Sequence, residues 1–348
     1  MFARLYHLSL AMLSVAATLV LSSTSFSREA IASEPAAAAL FAEFGFNAEE
    51  RREVAAGEIV AIDGQTVLNN ELTGAAAMRL PVPPAEVASR LRNGLVILAD
   101  RQRRAYARID AAQADPWSSV RFDEKDDAEV ARLFDVEPGD TFNFSPIEVA
   151  AIRRRLAGGT PQAADRRALA AAAWRDVLIG RYSAYRAQGV RGLADYDRGD
   201  SVSSPSEELL RIGVAAVPRP VRGMAKALDL YPAAQSAAAE SRFYWKKTIV
   251  DARTVFVLSH VLVEEAPDAI LFALREYYVG HSYNVLQQLG VIVAYGDGAL
   301  MLAVNSTLTD RIVGTFGVIA RPVGRHQARE ALRNYFAGVR DWCGRPMP

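Results

Sequence analysis

The fold of this chain is decided in residues 243–263, which read FYWKKTIVDARTVFVLSHVLV. Aromatic and β-branched residues fill both halves of this segment, and such residues favour strands. Asp251 and Ala252 separate the two halves and mark a turn between them. The segment therefore predicts two neighbouring antiparallel strands.

The same pattern continues towards the C-terminus. The runs VIVAY and ALMLAV flank Gly296-Asp297-Gly298, which is a compact hairpin signal. From about Asp310 an apolar stripe with helical spacing follows, although Pro322 and Gly324 interrupt it; its members are Ala328, Leu332, Tyr335, Val339 and Trp342. Residues 241–348 are therefore predicted to form an antiparallel sheet and a C-terminal helix long enough to lie across it.

One segment near the N-terminus is predicted to join this sheet. ELTGAAAMRLPVP, residues 71–83, alternates weakly and indicates a strand that prolines end. PAEVASRLRN, residues 84–93, indicates a helix with Pro84 in its first position. Residues 71–93 are therefore expected to add a strand and a helix to the C-terminal sheet.

Residues 94–240 are predicted to be mainly helical. Ser145-Pro146-Ile147-Glu148 combines a capping box with an early proline, and its helix is expected to end at Gly158-Gly159. A longer helix is expected over 165–189. In residues 33–70, a flexible start at 33–40 precedes a short helix from Asn47 to Gly57. The predicted fold class is thus α+β: a sheet packed by a long C-terminal helix, with a helical middle segment.

The N-terminus predicts export. Arg4 precedes the uncharged run LSLAMLSVAATLVL, and small residues follow it at two candidate cleavage sites, after Ser27 or after Ala32. Fourteen residues of helix reach only ~21 Å, which is short of the ~30 Å hydrocarbon core of a bilayer. Residues 1–32 are therefore predicted to be a signal peptide, which places the protein in the periplasm or outside the cell. No stable transmembrane span is expected after cleavage.

Composition excludes some functions. Lys and Arg together number 40, as do Asp and Glu, so the chain lacks the basic excess of a nucleic-acid-binding protein. Cys343 is the only cysteine, so no internal disulfide can form.

The stretch REYYVGHSYN, residues 275–284, concentrates polar and aromatic groups in an otherwise apolar region. It is compatible with a strand, which its neighbours favour, or with a helix. In both cases Tyr277 and His281 are predicted to share a face. Ligand pockets are mostly apolar with a few placed polar groups. The predicted ligand-binding residues are Arg275, Tyr277, His281, Tyr283, His260 and Trp245.

A metal site is not expected. His260 and Glu264 are four residues apart, and strand residues at that spacing lie ~13 Å from each other, too far to share one ion. The acidic segment 195–200 departs from a calcium loop, because its sixth position is Asp200 rather than glycine. It is predicted to be a solvated turn, and no cofactor is expected.

Nucleophilic catalysis has little support in the sequence. Ser259-His260 and His281-Ser282 are neighbours, but adjacent strand residues point to opposite faces. No catalytic residue is therefore predicted, although a hydrolase with a site centred on His281 stays an alternative. Arginines at 153–155, 166–167, 181, 186 and 191 are expected to form a mostly solvated face, with a docking surface for an envelope protein as another alternative.

Parts of the chain resemble known families. The strand ending in RLPVPPAEVASRL, the sheet strands and the final helix resemble the START-like helix-grip superfamily over residues 71–93 and 241–342. That resemblance implies a sheet folded around a C-terminal helix, enclosing a hydrophobic cavity. RYSAYRAQGVRGLADYDRG also resembles bacterial exported proteins, which implies no activity. The preferred hypothesis is an exported protein that binds an apolar or amphipathic small molecule between the sheet and the C-terminal helix.

Overall fold

An antiparallel sheet of eight strands forms the centre of the molecule. The computed structural model describes residues 34–110, 115–157, 162–212, 217–233, 239–313 and 317–346. The strands pair in the order β1-β2-β10-β9-β8-β7-β6-β3, and every pairing is antiparallel. Their bounds are β1 Val60–Asp63, β2 Glu71–Leu80, β3 Ala105–Arg108, β6 Ala239–Val250, β7 Arg253–Ala266, β8 Ala269–Val279, β9 Val285–Tyr295 and β10 Gly298–Leu308. Two short strands, β4 Tyr196–Asp197 and β5 Val202–Ser203, pair separately.

Helices cover both faces of the sheet. Their bounds are α1 Glu34–Glu43, α2 Ala48–Ala55, α3 Pro84–Arg92, α4 Leu95–Leu98, α5 Asp127–Phe134, α6 Pro146–Leu156, α7 Ala163–Gln188, α8 Pro205–Ile212, α9 Arg222–Leu230 and α10 Gly317–Cys343. We call the face under α3, α4 and α10 the α10 face, and the opposite one, under α1, α9 and the middle helices, the α7 face. The α+β class predicted from the sequence is confirmed.

The α10 face is closed by apolar packing. Phe336 and Val339 of α10, together with Leu91 of α3, share one buried cluster with Phe272 and Met301 of the sheet. Gly338 lets α10 come close to the chain after α4, because a Cβ at this position would lie 2.0 Å from the carbonyl oxygen of Ala99. Within the described ranges, no helix combines the length and the apolar character needed to cross a membrane.

The helical middle segment packs directly on the α7 face. Trp174 of α7 lies 5.3 Å from Phe256, measured between ring centroids, and its ring fills the space beside Gly280, where a Cβ would come within 2.6 Å. These residues belong to one buried cluster that spans α7 and the sheet. The middle segment therefore shares its core with the sheet.

The predicted turns and caps are found. Asp251 and Ala252 join β6 to β7 with φ of 52° and 59°, the left-handed values that a tight hairpin turn requires. The side chain of Asn47 caps α2, and Ser145 caps α6 with Glu148 as its reciprocal partner. Residues 269–279 form a strand, so the helical alternative for this stretch was wrong.

Three details correct the sequence-based expectations. Helix α1 covers most of residues 33–40, where a flexible start was expected, because Ala37 and Phe41 find a buried site against the sheet. Strand β3 lies in a region without a clear pattern and extends the sheet beyond β6. Pro322 and Gly324, which were expected to interrupt the last helix, lie within the continuous helix α10. Gly158 and Gly159, the predicted end of α6, lie outside the described residues, as does the predicted signal peptide.

Candidate functional site

Two of the predicted ligand-binding residues, Tyr277 and His260, lie on the α7 face beneath α7. Tyr185 of α7 stacks on Tyr277 with ring centroids 3.9 Å apart and the planes 5° from parallel. The Tyr185 hydroxyl lies 3.1 Å from Nδ1 of His260, and the Ser241 hydroxyl lies 3.0 Å from its Nε2. Burial lowers the pKa of His260 well below its usual value, so the ring is neutral. This group joins α7 to the sheet.

Arg275 and Trp245 are also buried on this face, with separate partners. Arg275 donates to Gln287 at 3.0 Å, to the carbonyl of Leu228 at 2.9 Å and to Asp229 at 2.6 Å. Its guanidinium thereby holds α9 against the sheet. Trp245 donates from Nε1 to the carbonyl oxygen of Pro116 at 2.7 Å.

His281 lies beyond the end of β8, away from Tyr277. Its Nε2–H donates to the carbonyl of Thr254 at 2.9 Å, and the Ser282 hydroxyl lies 2.7 Å from Nδ1. The expectation that Ser282 and His281 point apart was wrong, because the strand ends at Val279 and Ser282 takes a turn conformation with φ of 78°. Burial, followed by the charge of Arg253, lowers the pKa of His281 to about 4, so the ring is a weak base.

Tyr277 and His281 do not share a face. The register between β7 and β8 shifts at Leu258/Ser259, which leaves Tyr277 as the extra residue of a bulge. Beyond the bulge and the end of the strand, side chains no longer alternate between the two faces of the sheet. The positions of Tyr277 and His281 in the sequence therefore do not place them on one face. Arg275 and His281 likewise have different partners, so the structure does not bring these two residues together.

Tyr283 belongs to a polar network on the α10 face. Its hydroxyl donates to Glu276 at 2.5 Å, and Lys246 contacts Glu276 at 2.8 Å and Asp100 at 3.0 Å. Although burial alone would lower it, the two carboxylates raise the pKa of Lys246 well above its usual value. The six predicted residues are thus distributed over both faces and one turn.

The arginines of the middle helices are largely engaged within the protein. Arg181 is buried and donates to both oxygens of Glu148, at 2.7 and 2.6 Å, so its assignment to a solvated face was wrong. Arg167 pairs with Asp127 at 2.6 and 2.8 Å. These ion pairs connect neighbouring helices.

A pocket of about 430 Å³ opens at the end of the sheet, where α8, the chain before β2 and the chain after β10 meet. We call it the acid pocket. It is lined by Val67, Leu68, Asn69, Asn70, Val202, Ser203, Ser204, Glu207, Glu208, Arg211, Asp310 and Val313. Ligand pockets in proteins start at roughly 300 Å³, so the volume suits a small molecule.

Two carboxylates of the acid pocket share one donor. Nδ2 of Asn284 lies 3.0 and 3.1 Å from the oxygens of Glu208 and 3.1 Å from Oδ1 of Asp310. Asn70 donates to Glu208 from the other side at 2.5 Å. Arg198 donates to Oδ2 of Asp310 at 3.0 Å and to Oδ1 of Asn284 at 2.9 Å. Glu208 is therefore held by neutral amides, whereas Asp310 is held by a cation.

Backbone contacts position these groups. Asn284 lies between β8 and β9, and its N–H donates to the carbonyl of Leu308 at 2.7 Å. The N–H of Thr309 donates to the carbonyl of Asn70 at 2.8 Å, which ties the end of β10 to the chain before β2. Glu71 accepts from the N–H groups of residues 67 and 68, at 2.7 and 3.1 Å, and shapes the loop at the pocket rim.

The electrostatics distinguish the two acids. Burial, and after it the negative charge of Asp310, raises the pKa of Glu208 to about 7, although Asn284, Asn70 and Arg198 act in the opposite direction. At neutral pH a proton is therefore present on Glu208 in a large share of molecules. Such a pair can supply a proton donor and a negative charge on one wall of a pocket.

Sequence reasoning missed this site. Glu208 and Asp310 lie far apart in the sequence, and no spacing links them to Asn284. The segment with Arg198 was predicted to be a solvated turn; it does form a turn between β4 and β5, but the Arg198 side chain is only 11% exposed. The polar neighbours SYN of residues 282–284 were noted, but the signal pointed to His281. In the described part of the chain, no three His, Cys, Asp or Glu residues are placed to hold a metal ion.

Comparison with known proteins adds little. No family model matches the chain, and no curated protein matches it. Among solved structures, the protein TTHA0849 from Thermus thermophilus is similar at 13% identity, covering 32% of this chain and 70% of that chain, with a TM-score of 0.24. A likeness at this level carries no argument about function.

Proposed function

We propose that the protein binds a small, hydroxyl-bearing molecule in the acid pocket. The observation that carries this proposal is the pocket of about 430 Å³ with Glu208 and Asp310 in its wall. Carboxylate oxygens accept hydrogen bonds from hydroxyl groups, and the amides and serines of the lining can both donate and accept. Small-molecule sites combine such convergent polar groups with a concave surface.

This proposal keeps ligand binding as the function and moves it away from the sheet–helix interface. Export, predicted from residues 8–21, agrees with a role in capturing small molecules outside the cytoplasm and stays a prediction. Docking to an envelope protein also stays a prediction, and the ion pairs of Arg167 and Arg181 give it no added support.

A blocking substitution tests the proposal. Val202 lines the pocket and is 66% exposed, so Val202→Trp should fold and fill the opening. Val323→Trp is the matched control, because Val323 is 54% exposed on α10 and does not line the pocket. Methyl 1-thioglycosides of common hexoses serve as probes that resist hydrolysis. At millimolar concentration, at least one should raise the melting temperature of the wild type and the control, but not of Val202→Trp.

Two outcomes would reject the proposal. If no thioglycoside raises the melting temperature of the wild type, or if Val202→Trp responds like Val323→Trp, the acid pocket is not the binding site.

A second location has its own observation. On the α10 face, the Ser259 hydroxyl and Nε2 of Gln288 are buried and have no hydrogen-bond partner among the described residues. Unsatisfied buried groups cost about 1–3 kcal/mol each, and a ligand between the sheet and α10 would remove that cost. These two groups support an amphipathic ligand between the sheet and α10 as a second candidate.

Extraction tests this second candidate. Solvent extraction of the purified protein, followed by mass spectrometry, should recover an amphipathic molecule from the wild type and less of it from Gln288→Leu. Equal recovery from both, or none from the wild type, removes the candidate.

A further inference from the structure

We propose that Glu208 and Asp310 form a catalytic pair that hydrolyses a glycosidic bond in the molecule bound in the acid pocket. This inference rests on the proposed function and adds a reaction to it. It assigns Glu208 as the proton donor and Asp310 as the nucleophile.

The two acids lie close together. Both accept from the same nitrogen of Asn284, at 3.0 and 3.1 Å, so their nearest oxygens cannot be farther apart than the sum of these distances. Glycosidases that invert configuration hold their carboxyl groups ~6.5–9.5 Å apart to admit a water, whereas retaining enzymes hold them at ~5–5.5 Å. This upper bound lies below the inverting separation and includes the retaining one.

The two acids have different hydrogen-bond partners. Amide groups of Asn70 and Asn284 contact Glu208, while the guanidinium of Arg198 contacts Asp310 at 3.0 Å. Burial and the negative charge of Asp310 favour the protonated form of Glu208. The pKa of Glu208, raised to about 7, agrees with this assignment. The remaining charged groups that line the pocket are Glu207 and Arg211 on the same helix.

The charge that develops in the transition state distinguishes the possible hydrolytic reactions. Hydrolysis of an ester or amide develops a negative oxygen, which the adjacent carboxylate of Asp310 would repel. The same carboxylate would repel the phosphate group of a phosphate ester. Cleavage of a glycosidic bond develops positive charge at the anomeric carbon, which a carboxylate stabilises. The sign of the charge in the acid pocket therefore selects the glycoside.

The reaction balances with water as the only co-reactant. An oxygen of Asp310 bonds to the anomeric carbon as the glycosidic C–O bond breaks, and the proton of Glu208 goes to the leaving oxygen. Water then attacks the same carbon, its proton returns to Glu208, and the bond to Asp310 breaks. The products are the sugar with its original configuration and the freed alcohol, with both carboxyl groups restored.

The test uses a panel of α- and β-linked 4-methylumbelliferyl hexosides and the full chain. The wild type should release 4-methylumbelliferone from at least one member, with a rate that falls as pH rises through about 7, where Glu208 loses its proton. Glu208→Gln and Asp310→Asn should each lower the rate ~100-fold or more. Glu53→Gln is the control, because Glu53 is exposed on α2, does not line the pocket and should leave the rate unchanged.

Thioglycoside binding separates the two proposals. Glu208→Gln should remain folded and keep its response to the methyl 1-thioglycosides while losing hydrolysis. If the wild type binds a thioglycoside but hydrolyses no hexoside, the catalytic inference is overturned and the binding function stands. If neither occurs, both are overturned. Hydrolysis that survives in Glu208→Gln overturns the assignment of the proton donor.

Discussion

Glu208 and Asp310 accept hydrogen bonds from one and the same amide nitrogen, although they come from α8 and from the chain after β10. The negative charge of Asp310 therefore adds to the cost of ionising the buried Glu208. This makes the protonation of Glu208 a property that can be measured in the whole protein.

Replacing Glu208 should change how stability depends on pH. The folded pKa of about 7 lies above the usual value of 4.5, so the protonated carboxyl favours the folded state. This contribution is fully present below pH ~4.5 and is lost as pH rises to about 7, at roughly 1.4 kcal/mol per pKa unit. Glu208→Gln should therefore match the wild type near pH 4.5 and exceed its free energy of unfolding at pH 8 by about 1–3 kcal/mol. Urea denaturation at both pH values provides the measurement, and Glu207→Gln is the control. Equal free energies of unfolding for the wild type and Glu208→Gln at pH 8 would contradict the prediction.

His281 should make the stability of the protein depend on pH in the acidic range. Burial lowers its pKa to about 4, from 6.5, so the unfolded chain binds the proton more readily than the folded protein. Stability from this residue is present above pH ~6.5 and declines as pH falls to about 4. His281→Gln should lower the free energy of unfolding at pH 7 but flatten its fall between pH 6.5 and 4. Exposed His326 gives the control His326→Gln, which should reproduce the wild-type slope; a wild-type slope in His281→Gln would refute the assignment.

The network around Lys246 should be costly to break. Lys246 is the cation between Glu276 and Asp100, and Glu276 is almost fully buried. Lys246→Met leaves the buried carboxylate of Glu276 without its cation. Such a loss typically lowers the free energy of unfolding by about 3–5 kcal/mol. Lys226→Met, on the exposed side of α9, should change the free energy of unfolding by no more than about 0.5 kcal/mol. Urea denaturation of both variants provides the measurement. Equal changes in the free energy of unfolding for Lys246→Met and Lys226→Met would contradict the prediction.

Cys343 should be inert in the folded protein. The residue is 1% exposed, and burial raises the pKa of its thiol to about 11, so little thiolate is present at pH 8. A chromogenic disulfide reagent should react slowly with the native protein and completely with one thiol in denaturing urea. Rapid reaction without denaturant would show that the end of α10 opens.

Much of the fold was predictable because its signals are local. The β6–β7 turn follows from Asp251-Ala252 between two apolar runs, and the start of α6 follows from the Ser145 capping box. A cap or a tight turn involves residues only a few positions apart, so a single sequence contains the whole interaction. Strand β3 escaped prediction because its pairing with β6 depends on residues far along the chain.

The candidate site, in contrast, could not be predicted from local signals. REYYVGHSYN was correctly singled out as polar, but its members diverge: Arg275 contacts α9, Tyr283 lies on the α10 face, and His281 lies in a turn. The bulge at Tyr277 ended the alternation on which the shared-face prediction depended. Asn284, at the end of the same stretch, proved to be the residue that joins two acids.

The sequence by itself determined the strands β2, β6, β7, β9 and β10, the caps and the α+β class, since hydrophobic periodicity and short-range hydrogen bonds are properties of neighbouring residues. Only the tertiary structure decided the site. Glu208, Asp310, Asn284 and Arg198 are ordinary polar residues in four separate segments, and each segment is positioned by sheet pairing and helix packing. Burial and mutual charge then change the protonation of Glu208, and both depend on distances that exist only once the chain has folded.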